Sequence, residues 1–391
     1  MYDIETLRRN EFPLSDSEIY FNHASISPIP MRTRRKMEEV MQALAEQPWT
    51  YFIDRGRLDS DALKENLATM INASGSEQIV PVPSTSSGLG AVALAVDWKA
   101  GDNVVFCEIE FPSNAYPWLS LERLGVEPRQ ARAVDGGLTL EALIPLVDER
   151  TRVVAASAIQ FLSGHRTNLK AIGAFCKERD IIFVVDAIQA AGHIAIDVEA
   201  MNIDVLASGG QKSLLAAPGA GFMYVREGVC SQLTPLPIGP NATQDFMHWL
   251  NYNLTPLPGA SRFYMGTWNV VGWIGLGESI GLLQELGLEN IDRHTSTLAA
   301  EAIAMLDRMG FEVISLPGHG PIATFRSGLS EAQTDELVAH LLEHRITVVK
   351  HLDAEETPHI RLSFHAYNTR EELHCFEPIL REGMERIGSG Q

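Results

Sequence analysis

Residues 181–222 read IIFVVDAIQAAGHIAIDVEAMNIDVLASGGQKSLLAAPGAGF, and the fold turns on this stretch. Its first run, Ile181 to Val185, is apolar without alternation, the pattern of a strand buried on both faces of a parallel sheet. Asp186 closes that run, so a carboxylate stands at the C-terminal end of a strand, where open parallel sheets place their ligand sites. A second run, Val205 to Ala207, leads into GGQKS and sets Lys212 just past another strand end, in a Gly-rich loop that lets the backbone approach a ligand. A carboxylate buried at such a place needs a cationic or hydrogen-bonding partner. On their own, Asp186 and Lys212 also fit a structural ion pair at the sheet edge.

Outward from this stretch the same texture repeats. Val104 to Cys107, Val153 to Ala158 and Phe222 to Val225 are further short apolar runs. Between the runs lie segments of helical period, among them Gly88 to Trp98, Leu140 to Leu146 and Asn168 to Arg179. Strands alternating with helices predict an α/β domain with a largely parallel sheet. After Val225 a Pro/Gly/Asn-rich stretch follows, with Thr234 to Ser261 as an expected loop whose Trp249 and Tyr252 suggest a partly apolar lid. A long apolar helix is expected from Trp268 to Leu286 and an amphipathic one from Thr295 to Met309. Then strand and helix alternate over Ile322–Arg326, Glu331–Glu343, Ile346–Val349, Ile360–Phe364 and Arg370–Ile387, the pattern of a smaller α+β domain. The expected division is an N-terminal arm over 1–22, a large α/β domain over 23–267, and a linking helix with the small C-terminal domain over 268–391.

Composition narrows the function. With 31 Lys+Arg against 50 Asp+Glu the chain carries −19, which repels phosphate backbones and anionic lipid heads and argues against nucleic acid or a membrane surface as partner. The four cysteines, Cys107, Cys176, Cys230 and Cys375, form no CxxC pair, so neither a disulfide framework nor a cysteine-rich zinc site is expected. The first twenty residues lack the apolar core of a signal peptide, and Val270 to Leu283, interrupted by Glu278, is too short to span a bilayer. The chain therefore reads as soluble and cytoplasmic.

A third element gives Asp186 and Lys212 a shared purpose. In PVPSTSSGLGAVALAV, Ser84, Thr85, Ser86 and Ser87 open a helix, where hydroxyls and free backbone N–H groups converge on one spot suited to a phosphate. Ser and Thr are also ordinary helix caps. A phosphate site, a lysine and a strand-end aspartate together are what pyridoxal 5′-phosphate requires: an amine for its aldehyde, a carboxylate for its ring nitrogen and an anchor for its phosphate. With these residues in view, the chain resembles the class V family of fold-type I pyridoxal-phosphate enzymes, which includes cysteine desulfurases, isopenicillin N epimerase-like proteins and kynureninase. The likeness runs from YFNHASISPIP at Tyr20 to HIRLSFHAYNTREEL ending at Leu373, through PSTSSG, EIEFPSNAYPW, VVDAIQAAGH, GGQKSLLAAPGAGF and RFYMGTWN.

The resemblance implies a large domain with a mainly parallel sheet flanked by helices, plus the smaller α+β domain. It implies that Lys212 holds the cofactor and then shuttles the Cα proton of an external aldimine. Asp186 would keep the pyridine nitrogen protonated, and Gln189 would hydrogen-bond the ring oxygen. Phe111 falls where many relatives stack a histidine on the ring, keeping the π contact but losing a proton carrier. Gln160 would lie near the ring oxygen, Gly209 in the lysine loop, and Gln211 where relatives carry a histidine. Ser84, Thr85 and Ser86 would hold the phosphate. Gly266 and Thr267 would touch the phosphate of a neighbouring subunit, making a homodimer with shared active sites; Trp268 stands where relatives have proline. Arg361 would bind the substrate α-carboxylate through its two-pronged guanidinium, with Asn22 and His23 folding back towards the same mouth.

The stretch VVKHLDAEETPHIRL lacks the nucleophilic cysteine that desulfurases carry before this arginine, and Cys375 follows it on an expected helix, which disfavours a persulfide mechanism. The reading is therefore an enzyme acting on a small α-amino acid, with C–S lysis by β-elimination ahead of transamination or epimerisation. Three other readings compete. GLGAVA, Gly88 to Ala93, with Glu108 twenty residues after Gly88, fits a dinucleotide fingerprint, but PVPSTSS intervenes where a strand should lead directly in. His340, His344 and His351 lack the HExxH glutamate, so no metal is expected. A cofactor-binding protein that has lost catalysis is the third.

Overall fold

The computed structural model describes residues 2–236, 238–245, 248 and 250–388. A two-residue strand, β1 (Ile19–Tyr20), precedes a seven-stranded sheet made of β2 (Ile79–Val82), β3 (Asn103–Cys107), β4 (Glu127–Ala131), β5 (Thr151–Ser157), β6 (Ile182–Asp186), β7 (Val205–Gly209) and β8 (Gly221–Val225). Their spatial order is β2, β8, β7, β6, β5, β3, β4. All neighbours run parallel except β8, which is antiparallel to both β2 and β7. The short β7–β8 connection is what permits that reversal, since parallel neighbours need a longer crossover.

The continuous apolar runs are explained by burial on two faces. Val105, Val154, Phe183, Val185 and Leu206 point into one core beside the helix Val270–Leu286. Their neighbours Val104, Val153, Val184 and Val205 point into the other, beneath the helix Thr85–Ala95. Each fully buried Val, Leu or Phe contributes roughly 1.5–3 kcal/mol to holding these layers together. The helix Val270–Leu286 is apolar over most of its surface because it lies between the sheet and the helices Met31–Glu46 and Gly56–Met70, with Gln284 and Glu285 left exposed near its end. Its polar atoms are satisfied inside: Trp273 Nε1 donates to Ser60 Oγ at 3.0 Å and Ser279 Oγ to the Leu215 carbonyl at 2.9 Å. Among the described residues no helix is long and apolar enough to cross a membrane.

The smaller domain is a four-stranded antiparallel sheet, formed by β9 (Glu312–Val313), β10 (Ile322–Arg326), β12 (Val349–Leu352) and β13 (Pro358–Ser363) in the order β12, β13, β10, β9. It packs on the helices Leu288–Arg308, Glu331–Glu343 and Arg370–Gly388 around Phe325, Leu341, Leu362 and Phe376. The expected strand Ile346–Val349 is divided. Its first part, β11 (Ile346–Thr347), pairs in parallel with β1, and β12 turns to pair with β13.

In the seven-stranded sheet two strands had no apolar run to announce them. β4 is the sheet edge and reads EPRQA, with exposed polar positions and a proline that an edge tolerates. β2 is four residues long and contains Pro81. The helix expected from Gly88 starts earlier, at Thr85, because Ser84 caps it. In the expected lid, Tyr252 is exposed. Trp249 lies outside the described residues.

Candidate active site

The C-terminal ends of three adjacent strands bring the predicted residues together. Asp186 ends β6 opposite Ala207 of β7, and β7 runs out through Gly209 to Lys212. The Gly209 N–H donates to Thr85 Oγ1 at 2.8 Å, which ties the start of the helix Thr85–Ala95 to the strand that delivers the lysine. Ser84 Oγ caps the Ser87 N–H at 3.1 Å, leaving the N–H groups of Thr85 and Ser86 at the helix start free of the helix's own ladder. Ser86 Oγ meets Ser113 Oγ at 2.7 Å, joining this turn to the segment that carries Phe111. The lysine-loop glycines serve packing: a side chain at Gly210 would meet the Ala220 carbonyl at 2.5 Å.

Burial sets the charges here. Lys212 is 8 % exposed, and its Nζ, 5.0 Å from the centre of the Phe111 ring, makes no hydrogen bond or ion pair among the described residues. Burial pulls its pKa down to about 8, against the opposing Asp186 carboxylate and with a further push from Arg361. Asp186 accepts the Ile188 N–H at 2.9 Å; burial lifts it to about 6, while that N–H and Lys212 hold it lower. Next to it lies a third ionisable group, Glu110, which accepts the Ser157 N–H at 2.8 Å and the Ser157 hydroxyl. Burial lifts Glu110 to about 7, and the nearby Asp186 adds to the rise.

Arg361 stands on β13 and is 1 % exposed. It donates from Nη1 to the Phe161 carbonyl at 2.8 Å and from Nη2 to Ser25 Oγ at 2.7 Å; its Nε is buried without a partner. No carboxylate pairs with it among the described residues, and burial pulls its pKa down to about 9. The N-terminal segment does fold back to this point, through Ser25 rather than through the two residues expected. Asn22 bridges to Ser363 with its Oδ1 buried and unpartnered. His23 packs against His365 and Tyr367 with its Nδ1 3.0 Å from Ser27 Oγ.

The three glutamines are all fixed. Gln189 is buried, not on a helix surface, and donates to the Ala24 carbonyl at 2.9 Å. Gln160 donates to the Ile109 carbonyl and accepts the Leu162 N–H at 2.7 Å. Gln211 receives the Ser27 N–H on its carbonyl at 2.8 Å and keeps its side-chain oxygen buried and unpartnered. Gly266 and Thr267 border a cleft with Pro83, Ser87 and Trp268.

With this geometry described, comparison with known proteins places the chain. The family model for aminotransferase class V matches residues 19–376. The chain belongs to the class V aminotransferase family. A probable cysteine desulfurase of Methanothermobacter thermautotrophicus is 31% identical over 96% of each chain. The apo structure of a cysteine desulfurase from Thermococcus onnurineus superposes with a TM-score of 0.87 at 25% identity, covering 99% of each chain. A cystine C-S lyase solved with its product, cysteine persulfide, shares the fold at TM-score 0.84 and 20% identity, covering 96% of this chain and 99% of that one.

A class V enzyme uses pyridoxal 5′-phosphate, and the residues here fit that group. A buried amine without a partner, free N–H groups at a helix start and an unpartnered amide oxygen at Gln211 are a donor and acceptor set that the protein alone does not satisfy. The dinucleotide reading fails on the same geometry. Gly88 sits inside the helix, where a Cβ would stand 3.1 Å from that of Ala207, so its absent side chain serves helix–sheet packing. His340 and His344, set aside as metal ligands on sequence, do come together with Glu382, their potential ligand atoms lying within 4.8 Å of one another. His340 is buried with Nε2 3.3 Å from the Ile379 carbonyl. Sequence reasoning missed Ser25, Glu110 and Phe161, with only the position of Glu110 beside Phe111 as a signal, and it named His351 only as a metal ligand to be set aside.

Proposed function

We propose that the enzyme is a lyase that releases the sulfur substituent from Cβ of a small α-amino acid by β-elimination. One observation carries this over desulfuration: among the described residues, which include all four cysteines, no reactive thiol faces the site. Cys107 and Cys176 are buried, and burial pushes Cys107 up to about 12 and Cys176 higher still; Cys230 is buried too. Cys375 lies on the outer helix Arg370–Gly388, after Arg361 rather than on the β12–β13 connection.

The cofactor, when bound, supplies an electron sink for the pair left when a Cα proton is removed. The chain's own residues do the rest. Lys212, buried and held close to neutrality, takes the Cα proton and returns it. Asp186 offers a carboxylate to a cationic nitrogen at the strand end. Ser84, Thr85 and Ser86 receive a phosphate at the helix start. Arg361 lacks a carboxylate of its own and binds the substrate's with the planar fork that suits it. Gln160, Gln189, Gly209 and Gln211 line the cofactor, Phe111 covers its ring, and Asn22 and His23 support the mouth behind Ser25. Gly266 and Thr267 reach the phosphate of a second copy.

Borohydride trapping tests the core of this reading. The purified protein is expected to show a visible absorbance band that reduction removes, with the cofactor adduct mapping to Lys212 by mass spectrometry. An adduct on another lysine, or no band after adding pyridoxal phosphate, contradicts it.

A further inference from the structure

The wall above Lys212 is a row of rings with one polar end. Phe111 lies under the Lys212 amine, Phe161 meets Phe111 edge-on with centroids 5.1 Å apart, and His351 meets Phe161 edge-on at 5.7 Å. The sheet register makes this placement firm. In the β12–β13 pair Val349 is opposite Arg361 and His351 opposite His359. Opposite residues share a face and side chains repeat every second position, so His351 and Arg361 project to the same side.

Three histidine ring nitrogens are buried without a partner among the described residues: His23 Nε2, His340 Nδ1 and His351 Nε2. Only His351 belongs to the row that leads from Lys212. A buried ring nitrogen with no partner is costly, and its natural occupant is a group brought in from outside.

We propose that His351 contacts the group leaving from Cβ of the substrate and donates a ring proton to it as the Cβ–S bond breaks. This rests on the β-elimination reading. The bookkeeping closes without an oxidant or reductant. The Cα–H proton goes to Lys212, its electron pair becomes the Cα=Cβ bond, and the pair of the Cβ–S bond leaves on sulfur. His351, holding a second ring proton taken from solvent, gives it from Nε2 to the sulfur, which leaves as a thiol, and the ring returns to neutral imidazole. In the free protein burial, Arg361, Lys212 and His359 keep the imidazole neutral. A substrate carboxylate on Arg361 offsets one of those charges and lets the ring take up the proton that it passes to the developing thiolate. The inference assigns a substrate class: amino acids whose Cβ substituent needs a proton to depart.

The test uses holoenzyme with two substrates, S-methyl-L-cysteine, which expels a thiolate, and β-chloro-L-alanine, which expels chloride and needs no proton. His351→Phe is expected to lose about 100-fold in kcat on the thioether, the usual worth of a positioned acid, and less than about 3-fold on the chloride. His351→Gln keeps a hydrogen-bond donor of similar size but no transferable proton, and is expected to lose at least about 10-fold on the thioether. The dissociation constant of L-alanine, read from the cofactor's absorbance, is expected to change by less than about 2-fold in both variants, since alanine has no leaving group. Equal losses on both substrates, or no loss on either, overturn the role of His351. A wild-type enzyme that expels chloride but no thiolate overturns it too. A wild type that makes pyruvate from neither removes the elimination reading, and the inference with it.

Discussion

The proposed mechanism rests on Lys212, and its replacement is the sharpest test at the residue scale. Lys212→Ala is expected to lower turnover by at least roughly 1000-fold, because one group serves both as cofactor anchor and as proton carrier. Assays of pyruvate release from the purified variant check this. Arg361→Ala is expected to raise KM by roughly 100-fold or more with kcat little changed, the signature of lost charge-assisted hydrogen bonds to the substrate carboxylate. A fall in kcat at constant KM would remove Arg361 from that role. Glu110 predicts a pH effect. Burial lifts its folded carboxyl from an ordinary value to about 7, so its contribution to stability is present at low pH and is lost as pH rises through 7. Glu110→Gln is therefore expected to gain roughly 2 kcal/mol on wild type between pH 5 and pH 8, read from denaturant unfolding of the cofactor-free protein. Arg361 was reached through the family resemblance, and Asp186 and Lys212 were legible in the sequence itself because each sets a charge at a strand end. Ser25 and His351 were not. Their relation to the site arises only when the N-terminal segment and β12 meet β13, over separations that local pattern does not encode.

The helix Thr85–Ala95 shows what elements add. Ser84 holds its first turn and Thr85 fastens it to β7, so helix and lysine strand present their ends together. Ser84→Ala is expected to cost about 1 kcal/mol of stability by removing the cap, and to weaken phosphate-dependent cofactor binding as well. Gly88→Val is expected to cost roughly 1–3 kcal/mol, because the new side chain drives the helix off Ala207 and the N–H groups off their target. Equilibrium unfolding and cofactor titration of both variants read the two effects separately. At this scale the sequence was most informative where both faces of a strand are buried. β3, β5, β6, β7 and β8 all announce themselves as apolar runs, whereas the edge strand β4 and the proline-containing β2 carry no such signal. The reversed direction of β8 was also not legible, since an apolar run carries no mark of direction.

At the scale of the whole molecule, the single chain leaves apolar surface uncovered around the loop that holds Gly266 and Thr267. Leu250 is 92 % and Tyr252 87 % exposed, and Leu254 and Met265 are largely exposed, an arrangement that a second copy would cover. Sedimentation is expected to show a particle of twice 43.0 kDa, and Leu254→Asp to yield monomers that hold the cofactor less tightly. The division of labour between the domains follows the same logic. The large sheet positions Lys212, Asp186 and the helix start, and the small sheet brings Arg361 and His351 across the mouth. The most direct measurement of the central claim is the carbon product formed from S-substituted cysteine. The account predicts pyruvate, ammonia and thiol in equal amounts from wild type and none from Lys212→Ala; alanine with sulfur retained on the protein, or a keto acid that keeps the sulfur, would contradict it.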